Sequence, residues 1–206
     1  IPAAGITVAT PGVDLPPIWT QKSRPPGPPR ILALGSVTSR KAHHVLVEAL
    51  RHVAELEWSC VIAGNLAHDP VTADALRRQI AAHGLASRIQ LAGEVPEQEV
   101  EEYYAWADIF ALASLYEGYG MVFSEAMAHG LPIVATTGGA IPEVVSGDAG
   151  ILVPPSDDKA FAEALRILLT NPARRAQMAN ASRHIAMGLG TWQDTAMRIA
   201  ETLRAV

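Results

Sequence analysis

The sequence of 206 residues is short of several features that mark particular protein classes: it has one cysteine, 5% aromatic residues and no long apolar run. A single thiol, that of Cys60, forms no internal disulfide, and its apolar neighbours predict a core residue in a reducing compartment. No apolar run approaches the roughly 20 residues that cross a bilayer, and the N-terminus lacks the profile of a secretion signal. We therefore expect a soluble, cytoplasmic chain, with peripheral membrane contact left open for an intact protein.

Positive charge is also scarce and is not concentrated in one place. The formal net charge is −5, and the absence of a basic run argues against nucleic acid as the main partner. His43 and His44 are adjacent rather than four residues apart, so we expect both on a helix surface and no metal site. Hydrophobic residues make up 49% of the chain, enough for the core of one large or two small domains.

The order of the apolar segments predicts an α/β fold. Residues 1–29 are rich in proline, and we interpret them as a lead-in or interdomain linker. Over residues 30–206, short apolar runs suited to buried strands alternate with longer amphipathic segments suited to helices. The predicted strands are 30–35, 59–64, 88–93, 108–114, 132–137 and 150–154. The predicted helices are 42–54, 70–83, 97–106, 119–129, 141–145, 157–169, 172–187 and 192–205. This order predicts a doubly wound, mainly parallel, six-stranded Rossmann-like sheet with C-terminal helices.

The loops after the first five predicted strands all contain glycine: "GSVTSRK", "GNLAHDP", "GEVPE", "LYEGYG" and "TGGAIPE". In an open parallel sheet, ligands bind beyond the carboxyl ends of the strands, where such loops lead into helix N-termini. A helix N-terminus suits phosphate, and Arg40 and Lys41 add the fixed positive charge that a diphosphate needs. Any one loop is equally compatible with a turn that uses glycine for geometry alone. Five at one edge of the sheet favour a ligand site.

Two carboxylates, Glu117 and Glu125, flank the start of the predicted helix 119–129. Glu125 lies about six residues into that helix, roughly 9 Å along its axis. Glycosidases need two carboxylates that face one bond across about 5 to 9.5 Å, which a loop residue and a helix residue do not favour. A carboxylate can accept both protons of a vicinal diol, so a sugar nucleotide fits the pair better. The alternative is a surface residue at Glu125 and a helix-dipole partner at Glu117.

The residues from Ala113 to Pro155 resemble the signature of the family 4 (group 1) glycosyltransferases of the GT-B fold. The segment "SLYEGYGMVFSEAMAHGLPIVATTGGAIPEVV" is similar to the family pattern of a serine, E-G-[FY]-G, a second glutamate after seven intervening residues, EAMAxGLPVVAT and GGxxEVV. "TPGVD" resembles the family's PNGVD, and "LAGEVPEQEVEEYYAWADIFALAS" its FLGxV and YYxxADxFVLPS. The resemblance covers almost the whole chain and implies the C-terminal, donor-binding domain of a retaining glycosyltransferase.

The resemblance also implies a role for each residue of the expected site. Glu125 binds the ribose hydroxyls, Glu117 contacts the transferred sugar and Lys41 pairs with the diphosphate, which makes Glu117 and Lys41 the candidate catalytic residues. The remaining implied donor contacts come from three loops: Gly35, Ser36 and Arg40 at the phosphates; Gly93, Glu94 and Val95 at the base; and Gly118, Tyr119, Gly120 and Met121 at the sugar and diphosphate.

Two positions depart from the family pattern. The family has an arginine after the first-strand glycine, where this sequence has Ser36, and a glycine after the lysine, where it has Ala42. We expect Arg40 to supply the missing charge. The GT-B fold also has an N-terminal domain that holds the acceptor, and the resemblance implies that these 206 residues contain only the C-terminal domain. The family's final helix crosses to that domain, so part of residues 192–206 is expected to expose apolar surface.

The expected function is to bind a UDP-, GDP- or ADP-sugar for transfer of a hexosyl-type group to a sugar, lipid or small-molecule acceptor. The resemblance implies no obligatory metal or cofactor, and the chain alone is expected to bind a nucleoside diphosphate without transferring sugar. A non-catalytic nucleotide-binding module is one alternative, and it would not need Glu117. A dinucleotide-dependent oxidoreductase is another, but it expects G-x-G-x-x-G where "GSVTSRK" has a single glycine.

Overall fold

The computed structural model describes residues 6–16 and 27–204, which contain one sheet flanked by helices. The strands are β1 (Arg30–Leu34), β2 (Ser59–Ala63), β3 (Ile89–Gly93), β4 (Ile109–Leu112), β5 (Ile133–Thr136) and β6 (Gly150–Val153). The helices are α1 (His43–His52), α2 (Pro70–Ala82), α3 (Glu97–Trp106), α4 (Met121–Ala128), α5 (Ile141–Val144), α6 (Asp158–Thr170), α7 (Pro172–Ala186) and α8 (Trp192–Arg204). Each predicted strand and helix is present, with ends that differ by no more than two residues.

The six strands are ordered β3-β2-β1-β4-β5-β6, and all neighbouring pairs are parallel. The predicted doubly wound sheet is therefore confirmed. The chain moves outward from β1 to β2 and β3, then returns to the other side of β1 to begin β4. The carboxyl ends of β1 and β4 thus form the switch point of the sheet, the position at which ligands of open α/β sheets bind.

Successive side chains of each central strand enter two different cores. Ile31 and Ala33 of β1 pack in a core beneath α1, α2 and α6, whereas Leu32 packs in a second core with α4 and α5. Both sets of side chains are buried, which explains why the strands are apolar at consecutive positions rather than at alternate ones. The two cores hold the sheet rigid between its helices, so the loops at its carboxyl edge rest on a fixed base.

The helices differ in how they begin. The side chains of Asp69, Asp157 and Asn171 accept hydrogen bonds from first-turn amides of α2, α6 and α7, which is the usual N-cap arrangement. In contrast, α1 and α4 have no side-chain cap and follow residues with left-handed backbone, Ala42 (φ 47°) and Gly120 (φ 88°). Because of these turns, α1 begins at His43, one residue later than predicted, and α4 begins at Met121, two residues later than predicted.

The backbone is left-handed at Ala42, the position where the family pattern has a glycine. A residue with a side chain pays about 1–2 kcal/mol in this conformation, a cost that glycine avoids. The family's glycine after the lysine therefore suits the turn that the structure contains. Ala42 keeps its methyl group fully buried, and that burial offsets part of the cost.

The C-terminal helix α8 lies on the surface of the described chain. It has no buried side chain, and Trp192, Met197, Ile199 and Leu203 are all exposed. The expectation of exposed apolar surface in this segment is confirmed as far as Arg204. None of the helices in the described residues is both long enough and apolar enough to cross a membrane.

The described part of the lead-in, residues 6–16, contains no helix or strand. The Val13 N–H donates to the Gly190 carbonyl at 3.0 Å, and the Thr195 hydroxyl donates to the Thr10 carbonyl at 2.7 Å. These bonds hold the lead-in against the junction of α7 and α8. The linker assignment of residues 1–29 stays a prediction, and residues 1–5 and 17–26 of it lie outside the described part.

Candidate functional site

A charged cluster centred on Glu117 lies beyond the carboxyl ends of β1 and β4. Glu117 is only 5% exposed, and its Oε1 accepts hydrogen bonds from Lys41 Nζ and Ser114 Oγ, both at 2.6 Å. Its Oε2 accepts from Arg40 Nη1 at 2.8 Å. A carboxylate offers about four acceptor positions, so three donors leave about one for any further partner.

The switch point of the sheet brings these residues together. Arg40 and Lys41 belong to the β1–α1 loop, and Glu117 belongs to the β4–α4 loop; the Leu115 N–H donates to the Arg40 carbonyl between the loops at 2.9 Å. A third loop fixes the backbone of Glu117, because the Ala140 N–H donates to the Glu117 carbonyl at 2.9 Å. The cluster is thus built from three loops that only the fold makes neighbours.

The cluster carries a net positive charge. Burial acts to raise the pKa of the Glu117 carboxyl, but hydrogen bonds from Lys41 and Ser114 outweigh burial, and the pKa is lowered. Glu117 is therefore ionised at neutral pH, and it is shared by two cations, Lys41 and Arg40. The Arg40 side chain is 51% exposed, so part of the excess positive charge faces solvent, where it can attract an anion.

The N-terminus of α4 adds backbone donors beside the cluster. Gly120 precedes the helix in left-handed conformation, and a Cβ atom there would lie 2.7 Å from Phe123 Cδ2. No side chain caps the first turn, although the Phe123 N–H donates to the Gly120 carbonyl at 2.9 Å, so the amides before Phe123 and the positive end of the helix dipole are left for another partner. Because α4 begins at Met121, Glu125 lies roughly 6 Å along its axis, less than the predicted 9 Å.

A cavity of about 240 Å³ lies beside the first loop. It is lined by Leu34, Gly35, Ser36, Ala63, Gly64, Asn65, His68, Glu94, Val95 and Val100. Four residues of the predicted site, Gly35, Ser36, Glu94 and Val95, are among them. The Lys41 side chain passes over Gly35, since its Cε would lie 3.2 Å from a Cβ built on that glycine. The cavity and the charged cluster are therefore neighbours.

The sequence-based site missed the residues that the β2–α2 loop contributes. Asn65 and His68 line the cavity, and His68 Nδ1 lies 3.2 Å from Ser36 Oγ. Glycine is required at position 64 because the backbone of Gly35 lies close to it, and a Cβ at Gly64 would lie 2.1 Å from the Gly35 carbonyl oxygen. The glycine of "GNLAHDP" marked this loop as a candidate, and the polar residues that follow the glycine were the available signal.

Glu125 lies outside both groups. Its Oε2 accepts a hydrogen bond from the Tyr104 hydroxyl at 2.8 Å, and it is partly buried rather than a free surface residue. Burial raises the pKa of Tyr104, and the neighbouring Glu125 carboxylate raises it further, so Tyr104 remains a hydrogen-bond donor to Glu125. The structure therefore orients one carboxylate oxygen of Glu125, and its implied contact with ribose stays a prediction.

The placement of His43 on the helix surface was wrong. His43 is 1% exposed, and its Nε2 lies 3.2 Å from the Gly35 carbonyl, to which it donates when neutral. His43 lies on the same helical face as the buried Leu46, Val47 and Leu50, three, four and seven residues further on. The prediction considered only that the two histidines are adjacent and overlooked this spacing. Burial lowers the pKa of His43 to about 4, so the ring is neutral and supports the first loop from beneath. His44 is exposed, as predicted.

One group of possible metal ligands lies within the described chain, at the far end of α1. Ligand atoms of Glu48, His52 and Asp158 lie within 4.8 Å of one another. Sequence spacing missed this group because Asp158 comes from α6. His52 bonds to Asp158 at 2.7 Å, while Glu48 accepts from Arg51 at 2.7 Å and contacts His83 at 2.8 Å. Protein partners thus occupy these atoms, and we interpret the group as a network that ties α1 to α2 and α6.

The fold is that of a doubly wound, Rossmann-like α/β domain, and comparison with known proteins supplies the family. The pattern of the family described as "Glycosyl transferases group 1" matches residues 17–185. The chain belongs to this family.

Curated relatives carry glycosyltransferase names. A D-inositol 3-phosphate glycosyltransferase of Xylanimonas cellulosilytica is 32% identical, covering 93% of this chain and 49% of the relative. A GDP-mannose-dependent alpha-(1-6)-phosphatidylinositol monomannoside mannosyltransferase of Mycolicibacterium smegmatis is also 32% identical, covering 85% of this chain and 47% of the relative. The chain spans about half the length of the curated relatives it matches.

Solved structures of GT-B glycosyltransferases share the fold. Sucrose-phosphate synthase of Thermosynechococcus elongatus superposes with a TM-score of 0.83 at 25% identity, covering 96% of this chain and 51% of that one. The C-terminal domain of a group 1 glycosyl transferase (LpcC) of Francisella tularensis superposes with a TM-score of 0.73 at 26% identity, covering 82% of this chain and 90% of that one. The chain is thus similar to about half of the first structure and to most of the second, which is itself a C-terminal domain.

Proposed function

We propose that this chain binds the nucleotide-sugar donor of a retaining glycosyltransferase, which transfers a hexosyl-type group from a nucleoside diphosphate to an acceptor. The observation that carries the proposal is the meeting of Lys41, Arg40 and the uncapped N-terminus of α4 around Glu117, beside a cavity at the switch point of the sheet. Two cations and a row of amides suit a diphosphate. The adjoining cavity suits the nucleoside.

In this proposal each group of residues acts on one part of the donor. Lys41, Arg40 and the α4 amides hold the diphosphate, the cavity holds the base and Glu125 holds the ribose. When the bond between the anomeric carbon and the diphosphate oxygen breaks, the diphosphate leaves with the electron pair. Fixed positive groups stabilise this developing charge more than the ground state, which lowers the barrier.

Glu117 has a more limited part than a free carboxylate would have. Because Lys41, Arg40 and Ser114 use three of its acceptor positions, about one remains for a sugar hydroxyl. Its larger contribution is to hold Lys41 and Arg40 in place for the diphosphate. Glu117 is therefore proposed as a positioning residue with a single contact to the sugar.

The acceptor is proposed to bind in a second half of the intact protein. The chain covers about half of each relative, and it covers 90% of a chain described as a C-terminal domain. A GT-B enzyme places its acceptor in the opposite half, so the isolated chain is proposed to bind donor but transfer no sugar.

Calorimetric titration with UDP, GDP and ADP, each beside its monophosphate, tests the proposal. At least one nucleoside diphosphate is expected to bind one site per chain, and its monophosphate is expected to bind about tenfold more weakly, because a charge contact to the second phosphate is lost. Absence of binding by all three diphosphates, or sustained sugar transfer by the chain alone, contradicts the proposal.

The engagement of Glu117 by three protein donors also fits a non-catalytic nucleotide-binding module. The Glu117→Gln variant separates the two functions when it is placed in the intact protein. A transferase is expected to lose turnover by more than it loses nucleotide affinity, because Lys41 is misplaced at the moment of bond breakage. Equal turnover in the variant and the natural protein would favour the non-catalytic module.

A further inference from the structure

The carboxylate of Glu94 is the acidic group that lines the cavity. Glu94 follows β3 and is exposed, but it is held by the neighbouring loop, since Asn65 Nδ2 donates to its Oε2 at 2.7 Å. The backbone of this loop was implicated in base binding by resemblance alone, which says nothing of the side chain. The Glu94 carboxylate lines the cavity and can select among bases by the hydrogen bonds that it accepts from them.

Asn65 fixes the orientation of that carboxylate. Its Oδ1 accepts hydrogen bonds from the Ala67 N–H at 2.7 Å and the His68 N–H at 3.0 Å, so its amide nitrogen must face Glu94. A side chain that is tied to its own loop in this way donates to Glu94 without further loss of freedom. Oε1 of Glu94 and one position on Oε2 are left for a ligand.

The bases of the candidate donors differ in what they offer to a carboxylate. Guanine presents two adjacent donors, the ring N1–H and the exocyclic amino group, which match two carboxylate oxygens. Uracil presents one imide N–H between two carbonyl oxygens, which a carboxylate repels, and adenine presents its amino group beside an acceptor nitrogen. A carboxylate accepts but cannot donate, so guanine satisfies it best.

We propose that the cavity binds guanine and that Glu94, oriented by Asn65, is the residue that selects it, so that the donor is a GDP-sugar. This inference rests on the proposed function of the site. The apolar side chains of Leu34, Val95 and Val100 line the same cavity and supply contact area for the planar base. The selection of guanine then comes from the two hydrogen bonds between its edge and Glu94 rather than from the apolar lining of the cavity.

Titration of the chain with GDP, IDP, UDP and ADP tests the inference, because these ligands share the diphosphate and differ only in the base. The chain is expected to bind GDP about tenfold or more tightly than UDP or ADP. IDP lacks the exocyclic amino group and is expected to bind more weakly than GDP.

The variant Glu94→Gln completes the test, since an amide offers one acceptor in place of two. It is expected to lose about tenfold to a hundredfold in GDP affinity, to bind GDP and IDP alike, and to leave ADP affinity unchanged. The matched control is Glu97→Gln, which removes the same charge from the first turn of α3, outside the cavity lining, and is expected to bind GDP as the natural chain does.

Each outcome decides one claim. Tighter binding of UDP or ADP than of GDP, or natural GDP affinity in Glu94→Gln, overturns the guanine assignment and leaves the proposed diphosphate site intact. Failure of all four nucleotides to bind overturns both. GDP preference that disappears in Glu94→Gln but persists in Glu97→Gln establishes Glu94 as the selecting residue.

Discussion

At the scale of single residues, the site depends on the two cations that bond to the Glu117 carboxylate, Lys41 and Arg40. Lys41 is nearly buried, with a side chain 12% exposed, whereas Arg40 is half exposed at the rim. A buried pair depends strongly on both partners, because removal of one leaves a charge without compensation. Lys41 is therefore both a stabilising residue and a ligand candidate, whereas Arg40, which bonds Glu117 and the Tyr116 carbonyl at the rim, is expected to serve mainly the ligand.

Arg40→Ala tests whether Arg40 replaces the family arginine at the position of Ser36. We expect nucleoside diphosphate affinity to fall about fivefold, because a half-exposed charge contact contributes about 1 kcal/mol. Titration calorimetry measures the change. Arg51→Ala, at the far end of α1, is the control and is expected to retain the natural affinity. Unchanged affinity in Arg40→Ala would rule out the replacement.

His43 predicts how stability depends on pH. Its pKa is 6.5 in the unfolded chain and about 4 when buried, so the unfolded chain takes up the proton first as the pH falls. The contribution of His43 to stability is fully present above its pKa in the unfolded chain and is lost as the pH falls towards its pKa in the folded chain. We expect a loss of about 2 kcal/mol between about pH 7 and about pH 4.5, measured by urea unfolding at both values.

His43→Gln keeps a side-chain N–H donor for the Gly35 carbonyl but does not titrate, so its pH dependence is expected to be smaller by that amount. His44→Gln, on the exposed face of the same helix, should keep the natural dependence. Burial also lowers the pKa of His129, and that contribution is common to all three proteins. An identical pH slope in His43→Gln and the natural chain would contradict the assignment.

At the scale of elements, the left-handed turn at Gly120 sets where α4 begins and hence where its amides point. Gly120→Ala is expected to destabilise the chain by about 1–3 kcal/mol, because alanine is strained at this φ and its Cβ would press on Phe123. Urea unfolding measures the change. Gly118→Ala is the control, since a Cβ there meets nothing within 4 Å. Equal stability of the two variants would show that the turn carries no strain.

The strands could be predicted from the sequence because both of their faces are buried, so that apolar residues follow one another without interruption. Runs such as "SCVIAG" are apolar on both faces, and the structure buries both faces. The starts of α1 and α4 could not be predicted, because propensity does not reveal that Ala42 and Gly120 adopt left-handed backbone. The burial of His43 was missed for a different reason, because its helical spacing from Leu46, Val47 and Leu50 was present in the sequence but was overlooked.

The site was partly predictable at this scale. The glycine loops indicated the carboxyl edge of the sheet, and Gly35, Ser36, Glu94 and Val95 line a cavity there. What the sequence could not reveal is which groups contact one another. The bonds of Glu117 to Lys41 and Arg40 span more than 70 positions of the chain and arise only because β1 and β4 are neighbours.

At the scale of the whole molecule, the exposed apolar face of α8 and the half-length match to relatives agree with the expectation of a second domain. Both cores and the charged cluster are formed by described residues of this chain. We therefore propose that the chain can bind the donor alone and that transfer needs a second half.

The role of the cluster around Glu117 is tested by the affinity of the Lys41→Met variant for the nucleoside diphosphate that binds the natural chain. Lys159→Met is the matched control, because Lys159 follows Asp158, which bonds to His52 at the opposite end of α1 from Lys41. Circular dichroism establishes that both variants are folded, and the milder Arg40→Ala provides a second reading of the same site.

We expect Lys41→Met to lose about tenfold or more in affinity, since a charge-assisted contact to phosphate disappears, while Lys159→Met binds as the natural chain does. A folded Lys41→Met variant with natural affinity would contradict the central claim that the cluster around Glu117 holds the diphosphate.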